Sequence, residues 1–311
     1  MRAAVITGYG GLDVLDVVEV DDPVARPGEV VVDVRAASVN GADPKVRTGA
    51  SKYDSIAFPH ILGRDFSGVV REAEASSGWS AGDEVFGVSE RGADGGQAER
   101  IAVAAAIVAR KPPSLDHAEA AALALTGITA IYALEDVAQL RAGQRILVQG
   151  GAGGVGSFAV QLARHLGAVV TTTASAANRD YVVSLGADEV IDYRETDFTS
   201  LGERFDIVFD TVGGEVQRRS AAVVKPGGLL VFCAPGPEGA NPSRHDISVR
   251  RPAVDRDRGH LERITELVEG GAVRPPAITR LPLEALVEAH RLSEGRHVRG
   301  KLVLEPRHPA A

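Results

Sequence analysis

The sequence predicts an α/β protein of two lobes: a doubly wound parallel sheet, and a β-rich lobe that is discontinuous in the chain. Three observations carry that expectation. The chain has 311 residues, more than one core usually takes at roughly 100–200 residues per domain. Up to the Pro112-Pro113 pair it reads as short apolar runs punctuated by glycine. From about Ser114 onward apolar strands alternate with helical repeats, the rhythm of a parallel sheet covered on both faces.

The elements follow in order. Val30 to Val34 is an apolar run bounded by Pro27-Gly28 and the polar stretch Ser38 to Gly41, which predicts a buried strand. Val69 to Arg71, Glu84 to Gly87 and Ala98 to Val103 repeat the pattern, with Gly78, Gly82 and Gly92 to Gly96 as turns. The alanine-rich stretch Ala118 to Ala124 precedes a helix expected over Gly127 to Val137. Ile146 to Val148 is a strand, and Phe158, Leu162 and Leu166 recur every four residues on a helix over Val155 to Leu166. Strands at Val169 to Thr173, Glu189 to Ile191, Asp206 to Asp210, Gly228 to Cys233 and Asp246 to Val249 follow, with a helix at Asn178 to Leu185. Helices at Leu261 to Val268 and Leu283 to Leu292 lead to a last strand, Gly300 to Leu304. A lone closing strand needs a partner, so it is expected to return to the first lobe. This gives 1–113 with 272–311 as one domain and 114–271 as the other.

Composition narrows the function. Apolar residues make up 44% and charged residues 24%, and 34 basic against 42 acidic side chains leave a net charge of −8. No basic stripe argues for nucleic acid or an anionic membrane as partner. Cys233 stands alone, which excludes an internal disulfide and a thiolate-rich zinc site. Met1 to Thr7 lacks the pattern of a secretory leader, and no run of ~18 apolar residues is evident; a cytoplasmic location is the expectation. No G-x-S-x-G elbow or paired histidine spacing is present among the eight scattered histidines.

The chemistry begins at Gly151-Ala152-Gly153-Gly154-Val155-Gly156, a G-x-G-x-x-G placed between a strand and a helix. Gly151 allows the tight turn, Gly153 lets backbone approach a pyrophosphate, and Gly156 lets the helix pack on the strand. The helix start offers N–H groups and positive partial charge to the phosphates. This context identifies a Rossmann dinucleotide site. An NAD site usually carries an acid at the end of the second strand. Here that strand runs into Ser175, Asn178 and Arg179, two hydrogen-bond donors and a cation, which favours the 2′-phosphate of NADPH.

With these residues in place, the chain resembles the zinc-independent quinone oxidoreductase (zeta-crystallin-like) branch of the medium-chain dehydrogenase/reductase superfamily. The likeness runs through Ala37 to Asp43, Leu62 to Val70, Gly82 to Gly87, Gly95 to Glu99, Leu125 to Ala130, Gly150 to Gly156, Leu185 to Asp188, Ile191 to Tyr193, Lys225 to Gly228 and Gly300 to Leu304. It implies a GroES-like catalytic domain, a Rossmann domain and a nicotinamide cleft between them. By that likeness Thr129 lies on the nicotinamide face and Tyr193 by the 2′-phosphate, while Val212, Gly213, Phe232 and Cys233 line the cofactor groove. Cys233 also ends an apolar strand, where a small packing role is ordinary. Asn40 and Asp43 fall at the mouth of the substrate site, although both residue types also suit a plain turn. Tyr53 corresponds to a catalytic tyrosine of related 2-enoyl thioester reductases.

The departures point the same way. Zinc-using relatives place a cysteine where Asn40 stands and a histidine where Arg64 stands. Without a Lewis acid, a quinone or enone is the natural acceptor, because conjugation already makes its carbon electrophilic and the site need only position it and hydrogen-bond the developing oxyanion. The expected activity is NADPH-dependent reduction of a quinone or α,β-unsaturated carbonyl. Two alternatives are an enoyl thioester reductase and a nucleotide-binding regulatory protein with little turnover. A homodimer through the sheet edge near Ile247 to Val249 is the expected assembly.

Overall fold

The computed structural model describes residues 1–51, 56–233 and 244–306. The chain forms two compact units, Met1–Leu125 with Arg256–Gly270 and Pro275–Ala311, and Thr126–Asp255 with Gly271–Arg274.

The first unit opens with β1 (Arg2–Ile6), β2 (Leu15–Glu19) and β3 (Glu29–Val39), then α1 (Asp43–Arg47) and β4 (His60–Ile61). It continues through β5 (Asp65–Ala73), β6 (Glu84–Val88), β7 (Arg100–Ala104) and β8 (Val108–Arg110) to the start of α2 (His117–Ile131), whose residues from Thr126 onward belong to the second unit. The apolar run at Val30 extends through Ala36 and Ala37 to Val39, so β3 is twice as long as the run alone suggests. It is the spine of the unit, pairing antiparallel with β5 and β7. Val30, Val32, Val34, Phe66, Val85 and Trp79 close one core around it, and the Trp79 indole donates to the Ala105 carbonyl at 3.1 Å.

Helix α2 corrects the sequence reading. The alanine-rich stretch and the helix expected from Gly127 are one element, which widens into a π-type turn at Tyr132–Val137. A single glycine costs a helix about 1 kcal/mol, too little to break one with this much buried surface. The stretch His117–Val137 is also long and apolar enough to cross a bilayer by composition, contrary to expectation. However, 72% of its most apolar window is buried inside the protein, as in a core helix.

The second unit contains β9 (Arg145–Gln149), α3 (Gly154–His165), β10 (Val169–Ala174), α4 (Arg179–Ser184), β11 (Glu189–Asp192), β12 (Phe205–Asp210), α5 (Glu215–Ser220), β13 (Val224–Phe232) and β14 (Ser248–Arg250). All neighbouring pairs are parallel, in the order β11-β10-β9-β12-β13-β14. The order reverses at β9, and ligands of such sheets bind beyond the strand ends at that point. Leu147, Phe205, Val208, Val223 and Leu230 fill one face.

The chain then returns to the first unit with α6 (Arg258–Glu269), β15 (Ile278–Pro282), α7 (Leu286–Glu294) and β16 (Lys301–Glu305). β16 pairs antiparallel with β3, Leu302 opposite Val39 and Leu304 opposite Ala37. The first unit's large sheet thus runs β15-β16-β3-β5-β6-β8. Leu302 and Leu304 join Ile6, Leu62 and Leu286 in a second core.

Candidate active site

The nucleotide-binding turn is built where β9 ends. Gly150 takes the left-handed conformation at φ 76°, and its N–H donates to Thr173 Oγ1 at 2.9 Å. Gly151 N–H donates to the Thr173 carbonyl at 3.1 Å. A Cβ on Gly151 would overlap the Thr172 hydroxyl, and one on Gly156 would overlap the Gly150 carbonyl. Both glycines therefore hold the turn against the sheet. Gly153 differs: the nearest atom its Cβ would meet is 3.5 Å away, so the space above it is kept clear of the chain itself. Gly153 is the N-cap of α3 and no side chain caps that helix. The amides of Gly154, Val155 and Gly156, which lack intrahelical acceptors at a helix start, are left for an anion. Ala152 is buried under the turn. A bare cradle of this kind fits a dinucleotide pyrophosphate.

Ser175 and Asn178 follow β10 in a turn closed by Asn178 N–H on the Ser175 carbonyl at 2.8 Å, with the Asn178 amide 3.4 Å from Ser175 Oγ. The sequence shows no carboxylate at the end of this strand, but Asp192 on β11 lies in register with Ala174. Its oxygens are taken up, one by Ala176 N–H at 2.8 Å and the other by Arg194 N–H at 2.9 Å. One carboxylate thus ties the Ser175 turn to the turn carrying Tyr193 and Arg194. Tyr193 is exposed, with the Arg194 guanidinium 5.8 Å from its ring centre. Arg179 opens α4, and one of its N–H groups goes to the Val190 carbonyl at 3.3 Å.

Beyond β12 a second turn converges on Asp210, which is fully buried. Its carboxylate accepts the amides of Val212 (2.9 Å) and Gly213 (3.0 Å), and burial pushes its proton affinity up against the pull of those amides. The Asp210 carbonyl accepts Cys233 N–H at 3.1 Å, bringing Cys233, Val212 and Gly213 around one residue. Phe232 precedes Cys233 at the half-buried end of β13. Thr129 lies buried in the last turn of α2.

In the first unit, Asn40 and Asp43 belong to a polar cluster. Asn40 N–H donates to Asp43 Oδ2 at 2.9 Å, so the turn chemistry expected of this pair is present. The cluster goes further than a turn. Asp43 is 2% exposed, and the Gln97 amide donates to the same Oδ2 at 3.3 Å. Burial pushes the Asp43 carboxyl up to about 6, against the Asn40 amide, Arg64 and Lys301, with Asp65 adding to the rise. The Asn40 carboxamide donates to Asp65 Oδ2 at 3.0 Å and accepts from Lys301 Nζ at 2.7 Å. Ser38 Oγ also donates to Asp65 Oδ2. Burial lowers the affinity of Lys301 for its proton, and Asp65 and Asp43 restore part of it. Arg64 is lowered in the same way by burial and supported by Asp43.

Sequence reasoning assigned no role to Ser38, Asp65, Gln97, Lys301, Asp192, Asp210 or Arg194. The available signal was a charged residue opening an otherwise apolar strand, as at Asp65 and Lys301. Tyr53 lies outside the described residues. Among the described residues no three His, Cys, Asp or Glu side chains are grouped to hold a metal ion.

A six-stranded parallel sheet with a glycine cradle at its reversal point, in a chain with a separate β-rich unit, defines a nucleotide-dependent dehydrogenase or reductase. Residues 26–113 match the alcohol dehydrogenase GroES-like domain and residues 185–304 the zinc-binding dehydrogenase family. The chain is 36% identical to a 2-methylene-furan-3-one reductase of Solanum lycopersicum over 98% of its own length and 79% of the relative's. It is 34% identical to a chloroplastic NADPH-dependent alkenal/one oxidoreductase of Arabidopsis thaliana, over 98% and 80%. Among solved structures, the quinone oxidoreductase of Coxiella burnetii superposes with a TM-score of 0.89 at 31% identity, covering 99% of both chains. The chain belongs to the medium-chain dehydrogenase/reductase superfamily, among its quinone and alkenal oxidoreductases.

Proposed function

We propose that this chain is an NADPH-dependent oxidoreductase that reduces quinones and α,β-unsaturated carbonyl compounds. The observation that carries the reading is the uncapped glycine cradle at the start of α3, together with a neighbouring turn that presents donors where an NAD-specific acid would stand. The amides of Gly154 to Gly156 would hold the pyrophosphate. Ser175, Asn178, Tyr193 and Arg194 would hold the 2′-phosphate. Asp192 is tied by main-chain amides on both its oxygens, and the Arg194 cation two residues on offsets its charge. Bound NADPH supplies a hydride equivalent at its nicotinamide ring.

The protein's own part is positioning and charge. Asn40 offers an amide N–H to the substrate's carbonyl oxygen, where negative charge grows during reduction, and such a donor is strongest when preorganised. A conjugated substrate needs no further polarisation, which suits a site with Asn40 and Arg64 where zinc-using relatives carry ligands. We also place a homodimer contact at β14, which closes one side of the parallel sheet among the described residues; light scattering that returns a monomer mass would remove it.

The test is NADPH consumption against quinones, enones and enoyl thioesters side by side, with calorimetry of NADPH and NADH. Tight NADPH binding with turnover of quinones or enones is expected. Indifference to both nucleotides would overturn the reading.

A further inference from the structure

The end of β3 is flanked on both sides by buried charge. β16 runs antiparallel to β3 with Leu302 opposite Val39, so Lys301 falls beside Asn40. On the other side β5 pairs Asp65 with Ser38, two residues before Asn40 and on the same face of the strand. Lys301 is 5% exposed and Asp65 fully buried, whereas Asn40 is only half-buried. The partly open residue is gripped by two closed ones.

The inventory of hydrogens shows what the grip does. The Lys301 ammonium has three N–H groups, directed to the Val39 carbonyl at 2.9 Å, Asn40 Oδ1 at 2.7 Å and Asp65 Oδ2 at 3.5 Å. None is left over. The Asn40 carboxamide has one oxygen and two hydrogens; the oxygen takes Lys301 and one hydrogen goes to Asp65 at 3.0 Å. One Nδ2 hydrogen remains without an acceptor among the described residues. A flip of the amide would set its NH2 against the ammonium and its oxygen against the carboxylate, so charge fixes which way it points.

We propose that Lys301 is a positioning residue, clamping the Asn40 carboxamide with Asp65 so that its remaining Nδ2 hydrogen meets the substrate's carbonyl oxygen as a polarised donor. This deepens the reading above and rests on it. A cation on the amide oxygen draws electron density from nitrogen and strengthens the free N–H. Asp65 pulls back only weakly, because the same Oδ2 also accepts from Ser38 and faces Lys301. The ion pair itself is a poor stability device, since burying two charges usually cancels their attraction. Orientation is what it supplies.

The test is a double-mutant cycle on kcat for a short enone with NADPH, with NADPH affinity measured by calorimetry. Asn40→Ala is expected to lower kcat about 100-fold, as loss of an oxyanion donor does. Lys301→Met should lower it at least tenfold, with the Kd for NADPH unchanged within a factor of two. In the Asn40→Ala background Lys301→Met should cost nothing more. Losses that multiply would overturn the proposal. Lys301→Met strands a buried carboxylate, so the charge-balanced pair Asp65→Asn with Lys301→Met is the second variant, and full kcat in that pair would also overturn it. Wild-type protein that reduces neither quinones nor enones would instead defeat the reading on which this rests.

Discussion

Gly156 lies so close to Gly150 that a Cβ on the first would overlap the carbonyl oxygen of the second and sit 2.8 Å from its carbonyl carbon. Backbone cannot move aside as a flexible side chain can, so Gly156→Ala should destabilise the second unit by about 1–3 kcal/mol, the cost of overpacking. Gly153→Ala is the control, since its methyl would meet nothing of the chain nearer than 3.5 Å. It should melt within a degree or two of wild type yet bind NADPH at least tenfold more weakly by calorimetry. Equal affinity for the Gly153 variant would remove the pyrophosphate from this turn.

A second prediction separates two arginines. Arg179 spends one N–H on the Val190 carbonyl, while Arg194 stacks against Tyr193 in the turn joined to Ser175 through Asp192. Arg194→Ala should weaken NADPH about 10- to 100-fold, the worth of a charged hydrogen bond at roughly 1.5–3 kcal/mol, with NADH unchanged. Arg179→Ala should have the smaller effect. A larger loss from Arg179→Ala would return the 2′-phosphate to the residue that the sequence alone suggests.

These variants mark where sequence reasoning succeeds and where it stops. The glycine turn is legible because its spacing, strand and helix are contiguous, each element constraining the next. The parallel sheet is legible for the same reason. The clamp on Asn40 is not, because Lys301, Asp65 and Asn40 meet only through the registers of β16 and β5 on β3, and register is set by pairing between distant segments. Asp192 escapes notice similarly: read along the chain it follows the strand expected at Glu189 to Ile191, and only the β10–β11 pairing brings it level with Ala174. The short strands β1, β2 and β15 lack a long apolar run and acquire their form from their neighbours.

Acid stability gives a third prediction, at His290. The ring is fully buried, with Nδ1 3.4 Å from Arg47 Nη1, and Arg47 in turn donates to Glu294 at 2.7 Å. Burial, then the Arg47 charge, lowers its pKa to about 4, with Glu294 opposing. The folded value lies below that of a free histidine, near 6.5. The neutral ring therefore contributes stability that is full above pH 6.5 and lost as pH falls toward 4. In urea unfolding at pH 7.5 and 4.5, the stability lead of wild type over His290→Gln should narrow by about 2.5 kcal/mol on acidification, most of the displacement at ~1.4 kcal/mol per pH unit. A lead that stays constant would show that the ring is not held neutral.

Asp43 supplies the opposite sign. Its carboxyl titrates in the folded chain at about 6, above the free value near 3.9. The protonated form is the one the fold favours, so its contribution is full below pH 3.9 and disappears as pH rises through 6. Arg64, Lys301 and Asp65 are the charged groups acting on it. Asp43→Asn keeps an oxygen for the Asn40 N–H and the Gln97 amide that now share Oδ2, and it has no proton to exchange. Between pH 7 and pH 4 the wild type should therefore gain about 2 kcal/mol on the variant, most of a displacement of roughly two pH units at ~1.4 kcal/mol each. This opposes the His290 loss over the same range, which is why the two must be read from single variants and not from the wild-type curve alone. If the two proteins change stability in parallel on acidification, the Asp43 carboxyl titrates alike in the folded and unfolded chains, and burial does not favour its protonated form.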